Sequence, residues 1–444
     1  MTPHRSDSGG RQLPSQRGEP ESAGVFVANV SETQFDVVVI GGGAAGIAAA
    51  IGAARAGASV CLVEKYGFLG GAATNSSVLA LCGFFDQNKN QVVAGVGQHV
   101  LDQLRTRDIY QTQTVPETGN TIVLLDLETT KSVYDDLITA AGVRLLLHSQ
   151  LISATVTDGR ITAVDVVHRG GTETIIGRAF VDCSGDGALI DAAGAGAIVS
   201  APAERQASTL VMRVGAVSED ADLSMAGMDR AVDAYRPRSE MALVRSTGTA
   251  VRMPLSREVM LLIADHHGDV LDVNDLTAAE VQSRRLSWQY LAAFQQSLAG
   301  WENSFLASTG PQLGIRETRR LRGRHAVSAD DVADGRKSPA DAIARGGWPM
   351  ENHVAVGITE YGGIAGKGWY HVPYGAICSD TTENLWAGGR LVSSDNRAYA
   401  SLRVMGTSFA TGHACGVAAA VYAVARAHDY GRIRTLLNEQ GALI

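Results

Sequence analysis

The chain has 444 residues, 45% hydrophobic and 19% charged, and its 38 Lys and Arg against 46 Asp and Glu give a formal net charge of −8. Such a length exceeds one simple core, so two units are expected, and an acidic balance without a Lys/Arg stripe argues against nucleic acid as a partner. No apolar run nears membrane-spanning length, and the scattered Cys61, Cys82, Cys183, Cys378 and Cys415 form no C-x-x-C, so neither a disulfide framework, a zinc site nor a dithiol pair is suggested, and a reducing cytoplasm is expected.

Residues 1–33 are rich in Ser, Gly, Pro, Gln and Arg, with no hydrophobic periodicity, no apolar signal core and no twin arginine. They read as a disordered tail. Phe35 to Ile40 is then an apolar, β-branched run suited to a central parallel strand covered on both faces. It stops at Gly41, which with Gly43 and Gly46 fills the G-x-G-x-x-G frame. The first glycine permits the tight turn, the second lets backbone approach a pyrophosphate, and the third lets the next helix pack closely. That helix, Ala44 to Ala56 and including Ala45, is small and apolar, with its N-terminal amides and dipole aimed at an anion. Ser59 to Val63 forms a second strand and Glu64, with Lys65 beside it, arrives where a carboxylate accepts ribose hydroxyls and repels a 2′-phosphate. This is a dinucleotide site, for FAD or NAD. A second glycine pair follows in EKYGFLGGAATNSS, at Gly70 and Gly71, where a third quick βα unit would stand, and a wider ligand, FAD, accounts for it.

Further along, Val93 to Leu104 is an amphipathic helix leaving the nucleotide-binding part, and Glu128 to Ala141 is a second helical pattern ending before Gly142. VRLLLHSQLISATV, GRITAVDVVHR and TETIIGRAFVDC alternate with glycine turns as a β-meander feeding back to the core sheet. Thr277 and Glu280 make a capping box before a helix whose Val281, Trp288, Leu291, Phe294 and Leu298 form a core-facing stripe.

The stretch EKYGFLGGAATNSS, the segment RAFVDCSGDGALIDAAGAG from Arg178, GIRETRRLRG from Gly314 to Gly323 and NLWAGGRLVSSDNRAYASLRVMGTSFATGHACGVAAAVYA from Asn384 occur in an order that resembles the FAD-dependent oxidoreductases of the glutathione-reductase-like fold. The G-G-x-x-T segment is similar to that of the succinate dehydrogenase and fumarate reductase flavoprotein branch. The resemblance spans about residues 35 to 425. It implies an α/β fold with a Rossmann-like FAD-binding domain, a parallel sheet plus β-meander, at 34–94, 120–215 and 380–444, and an inserted α+β substrate domain at 95–119 and 216–379. By the same resemblance Gly71, Ala72 and Thr74 line the path from pyrophosphate to flavin, backbone at Leu151 meets the adenine, and Ser184, Gly185 and Asp186 return the chain beneath the adenosine. Gly388, Gly389 and Arg390 match the A-G-R stretch, and Arg403, Val404 and Met405 match the R-V-M that opens the closing helix. A helix N-terminus near Val404 places amides beside the flavin edge that gains negative charge on reduction. Ala72 to Gly83 holds no histidine, so FAD is expected without a covalent link.

The candidates for chemistry lie in the second unit and its borders. Arg316, held by Glu317 in a crowded run with Arg319 and Arg320, offers a guanidinium fork for a planar anion. WPMENHV and GWYHVPYGAI supply His353, Tyr370, His371 and Tyr374, and a neutral histidine suits acceptance of the proton released as a C–H bond gives hydride to flavin N5. Many relatives carry a serine and then a histidine after the A-G-R stretch; here Ser393, Ser394, Asp395, Asn396 and Arg397 stand instead, which brings forward Asp395 or Arg397, or a different reaction. No second G-x-G-x-x-G opens a helix after a strand. The chain therefore reads as a dehydrogenase or oxidase acting on a small organic molecule, with O2 or a carrier as electron acceptor. The alternatives are a flavin hydroxylase using NAD(P)H and a flavin-bearing electron-transfer subunit.

Overall fold

The computed structural model describes residues 33–115 and 118–444, so the expected tail up to residue 32 lies outside the described residues. Its central strand, Thr33–Ile40, has Val37 to Ile40 buried and pairs in parallel with Val60–Val63 on one side and Gly171–Asp182 on the other. Arg144–Leu146 adds a parallel strand beyond Val60–Val63, and Leu385–Ala387 adds another along the end of Gly171–Asp182. The first half of Gly171–Asp182 instead continues antiparallel through Arg160–His168 to Gln150–Thr157, which is the expected meander. The run from Val143 is two strands and not one. His148 turns between them at φ +53°, and the amides of His148 and Ser149 donate to the carbonyls of Tyr66 and Glu64.

Helix Ala44–Arg55 starts directly after the first glycine turn and is buried over most of its length. Against it lies Met405–Ala425, and glycine sets the separation: a Cβ on Gly412 would stand 2.1 Å from the carbonyl oxygen of Ala45, and one on Gly416 would stand 1.9 Å from that of Ala49. Such contact is open only to residues without side chains. Met405–Ala425 also corrects the expectation that no apolar run nears membrane-spanning length. It is long and apolar enough to cross a bilayer, yet 83% of its apolar window is buried in the protein, which gives the apolarity a core role.

A second sheet, antiparallel in the order Thr249–Arg252, Val259–His266, Ser208–Gly215, Phe305–Thr309, carries its own core beneath helices Met225–Tyr235 and Val273–Ser297. The division expected at 215/216 therefore falls after a strand that belongs to this sheet. Helix Val96–Thr106, expected with the second unit, buries Val96, Val100, Leu101 and Leu104 in the main core against Ala44–Arg55 and Met405–Ala425. The long helix begins at Val273, where Asp272 accepts from the amides of Asn274 and Asp275, so Thr277 and Glu280 lie inside it and cap nothing. Ala279, Ser283, Ser287, Leu291 and Phe294 form its buried face, while Val281 and Trp288 are exposed. The small residues let the helix lie close to its sheet; the expected stripe is core only in its second half.

Gly416→Ala should destabilise the protein by about 1–3 kcal/mol, because the added methyl group meets backbone that cannot step aside. Urea unfolding reads this as a lower midpoint at unchanged slope; an unchanged midpoint would mean that the helix pair can separate at no cost.

Candidate active site

The glycine turn is built from backbone contacts. Gly41 has φ +96°, and a Cβ there would lie 2.5 Å from the carbonyl oxygen of Cys183 at the end of the neighbouring strand. A Cβ on Gly46 would lie 1.7 Å from the carbonyl oxygen of Gly41, so Gly46 serves behind the turn as the helix-packing glycine and does not line the cavity. Gly43 bridges Gly70 across to the second glycine pair. A cavity of about 350 Å³ opens in front of these turns, in the size range of small-molecule sites.

The short helix Ala72–Asn75 and two longer helices begin on this cavity without a side-chain cap. Gly43, Ala44 and Ala45 begin one of the longer two, Val404 and Met405 the other, and all five residues line the space. Elsewhere Asp126, Ser224 and Asp272 cap their helices with side-chain oxygens. Uncapped N-termini leave amide donors and positive dipole ends for an anionic or electron-rich ligand. Glu64 is buried, and its carboxylate accepts from the amides of Gly42 at 2.6 Å and Tyr66 at 2.9 Å. Burial pushes its pKa up while those two bonds pull it down, and each oxygen retains capacity to accept a ligand hydroxyl. Asp186 lies between Arg390 at 3.2 Å and Lys65 at 3.8 Å. Ser184, Gly185, Gly71, Ala72 and Gly389 complete this half of the lining.

The other half is formed against the second sheet. Val211, Val251, Met260 and Leu262 give it an apolar wall, and Arg245, Arg316, Glu351, His353 and Arg403 bring charge. Arg316 donates to the carbonyl of Ala207 and to Thr209 Oγ1, the latter at 2.8 Å. Arg403 donates from Nε to Gln206 Oε1 and from Nη2 to the carbonyl of Glu351, both at 3.0 Å. His353 is buried, with Nδ1 3.0 Å from Thr359 Oγ1 and Nε2 3.6 Å from Glu351 Oε1. Burial, and then the positive charges of Arg316, Arg403 and Arg245, hold its pKa well below the ordinary value, so the imidazole is neutral. Burial and then Arg403 lower Arg316 to about 10, which leaves it charged at neutral pH.

Several of the expected candidates lie away from the cavity. Besides Gly46, Thr74 donates its hydroxyl to the carbonyl of Leu69 at 2.7 Å, and Leu151 packs in the hydrophobic cluster of the meander. His371 accepts from the amide of Ser338 at 2.8 Å and packs on Trp369, and burial followed by Arg345 and Lys337 lowers its pKa to about 4. Asp395 caps helix Asn396–Leu402 and also accepts from the amide of Ala329 at 2.6 Å. Tyr370 and Tyr374 are likewise engaged elsewhere, with Ser401 and His428. Glu317 does not hold Arg316; it forms a buried 2.8 Å pair with Arg320, joined by Ser200. Arg245 and Glu351 escaped the sequence reading. Arg245 has no motif around it, whereas Glu351 stands two residues before His353 on strand Met350–Ala355 and shares its face, a spacing that was there to be read.

A βαβ glycine turn, a buried carboxylate after the second strand and uncapped helix ends around one cavity have the form of a dinucleotide-binding site. The chain belongs to the FAD dependent oxidoreductase family, whose model matches residues 36–434, and its cofactor is FAD. Among solved structures it is similar to a geranylgeranyl bacteriochlorophyll reductase-like protein from Thermoplasma acidophilum, at 12% identity and TM-score 0.48 over 92% of this chain and 83% of that one. It is similar to the flavin-dependent brominase Bmp2 at 12% identity and TM-score 0.49, over 92% and 84%. It is also similar to L-proline dehydrogenase from P. horikoshii at 10% identity and TM-score 0.47, over 93% and 100%. No curated protein matches the sequence.

Arg316→Gln should raise the pKa of His353, since it removes the nearest cause of depression after burial itself. NMR titration of the histidine ring reads the shift, and an unmoved pKa would mean that burial alone keeps the ring neutral.

Proposed function

We propose that this enzyme is a dehydrogenase or oxidase that removes a hydride and a proton from a small organic substrate, with His353 as the proton acceptor. The observation that carries the reading is a neutral, oriented histidine in the same cavity as the dinucleotide turn. FAD, when bound, supplies the hydride acceptor at flavin N5. Gly41, Gly43, Ala45, Gly71 and Ala72 would hold its pyrophosphate through backbone, and Glu64 with Lys65 would take the ribose. Ser184, Gly185 and Asp186 would line the adenosine side, and Gly389, Arg390, Val404 and Met405 the flavin side. Thr359 and Glu351 fix the His353 ring, and the Glu351 carboxylate stabilises the imidazolium that forms when the proton arrives. The motif order around Gly70 to Thr74 supports a place beside the succinate dehydrogenase and fumarate reductase branch. Cys82 and Cys183, the two thiols in the lining, are both pushed up by burial, Cys82 to about 12, and offer no thiolate, which supports a non-covalent FAD.

Two variants test the halves separately. Glu64→Ala should weaken FAD by about 1.5–3 kcal/mol, roughly 10- to 100-fold in Kd, by removing charge-assisted bonds. Fluorescence titration of the apoprotein measures it, and wild-type affinity would move the ribose contact to another residue. His353→Gln should keep FAD and slow anaerobic flavin reduction roughly 10²- to 10⁴-fold. The substrate is chosen by anaerobic bleaching of the flavin. Reduction at the wild-type rate, or bleaching by NADPH alone, would overturn the proposed chemistry.

A further inference from the structure

The charges in the half of the cavity that holds His353 do not balance. Arg245 is answered by Asp265 at 2.6 Å, with side chains 13% and 2% exposed, and Asp265 also accepts from Thr209 Oγ1. Glu351 takes the indole N–H of Trp348 at 3.1 Å and faces His353 with its other oxygen. Arg316 and Arg403 make no ion pair among the described residues; their bonds go to backbone carbonyls, a hydroxyl and an amide oxygen. Nε and Nη2 of Arg316 and Nη1 of Arg403 have no partner among the described residues, although both side chains line the cavity. With His353 neutral, three guanidinium groups face two carboxylates, leaving one positive charge in a partly desolvated space. A lone uncompensated charge is expensive there.

We infer that the substrate is an organic acid with an apolar body, whose single carboxylate is bound by Arg316 and Arg403 while its body lies against Val211, Val251, Met260 and Leu262. This rests on the reading of this cavity as the substrate site. A guanidinium fork matches the planar carboxylate in a bidentate manner. One surplus charge is neutralised by a monoanion, whereas a phosphate group, nearly dianionic at neutral pH, would overshoot. The apolar wall adds burial for a carbon skeleton, which inorganic anions cannot use. Arg245, already paired with Asp265, is a positioning residue that adds field without a bond to the acid.

The FAD-loaded protein is titrated with benzoate, with its neutral counterpart benzamide and with inorganic phosphate, reading flavin absorbance and calorimetric heat. Benzoate should bind at least about 10-fold more tightly than either of the others. In Arg316→Gln and Arg403→Gln the benzoate affinity should fall at least about 10-fold with flavin occupancy retained. Benzamide binding as well as benzoate, phosphate binding better, or benzoate affinity unchanged in both variants would overturn the inference. The comparison of the three probes on the unaltered protein needs no variant to fold. The outcomes separate from those of the proposed chemistry: benzoate bound through both arginines with no organic acid able to bleach the flavin would sink the dehydrogenase reading and keep the anion site. Bleaching by neutral substrates alone would do the reverse.

Discussion

The contact on which the site depends is the approach of helix Met405–Ala425 to helix Ala44–Arg55, with the backbone of Gly412 and Gly416 against that of Ala45 and Ala49. Each helix begins at the cavity, so the spacing of the two axes sets the spacing of two sets of free amides. One set follows the glycine turn at Gly43, the other follows Val404. Side chains at the contact would widen both the helix pair and the space between its ends. The same logic of bare backbone recurs at Gly388, where a Cβ would meet the Cα of Gly412 at 3.1 Å, and at Gly389, where it would meet the Cβ of Ala45 at 3.1 Å. A small-residue core therefore does what a larger hydrophobic core would not: it brings backbone dipoles from distant parts of the chain to one ligand.

Electrostatics in the other half works by a different means. Three arginines from separate segments share a partly buried space, and two of them form no ion pair among the described residues. Burial first, and then the charge of Arg403, makes Arg316 titrate low for its type, and burial followed by the field of the three arginines keeps His353 unprotonated. One arrangement thus places an excess of positive charge and a neutral histidine in the same space. The two properties are coupled, because anything that neutralises the guanidinium groups also makes the histidine easier to protonate.

What was legible in the sequence follows this division. The dinucleotide half is made by local backbone geometry, and local geometry leaves a local signature: Gly41, Gly43 and Gly46 at fixed spacing, an apolar strand before them, Glu64 after the next strand. The meander and the closing helix were readable for the same reason, as alternation and as a long apolar stretch. The other half is assembled from a loop at Arg245, an irregular stretch at Arg316, a hairpin strand with Glu351 and His353, and the turn before Met405–Ala425. No spacing rule connects these positions. His371 sits in a run as suggestive as that of His353, yet its strand turns it toward Ser338 and Trp369, and only tertiary structure separates the two. Trp288 misled in the opposite sense: an aromatic residue at helical spacing looked like core because the small residues Ser283 and Ser287, which do face inward, carry no hydrophobic signal.

The segment Gly314 to Leu321 shows why a dense arginine run need not be a charged surface. Gly314 bridges Thr209 in the second sheet, and Ile315 offers its carbonyl to Arg390 on the nucleotide side. Thr318 donates to the carbonyl of Gly185 at 3.1 Å, and Arg319–Leu321 pairs as a strand with Ala197–Val199. The carbonyl of Arg316 itself is held by the hydroxyl of Tyr399 at 2.6 Å. Its arginines consequently part company: Arg316 enters the cavity, Arg319 reaches the carbonyl of Asp186, and Arg320 is buried with Glu317. A segment pinned to both units at residues one to four apart fixes where the Arg316 guanidinium stands relative to the glycine turn. The position of the Arg316 guanidinium in the cavity is thereby set by the same stretch of backbone that joins the two halves of the cavity.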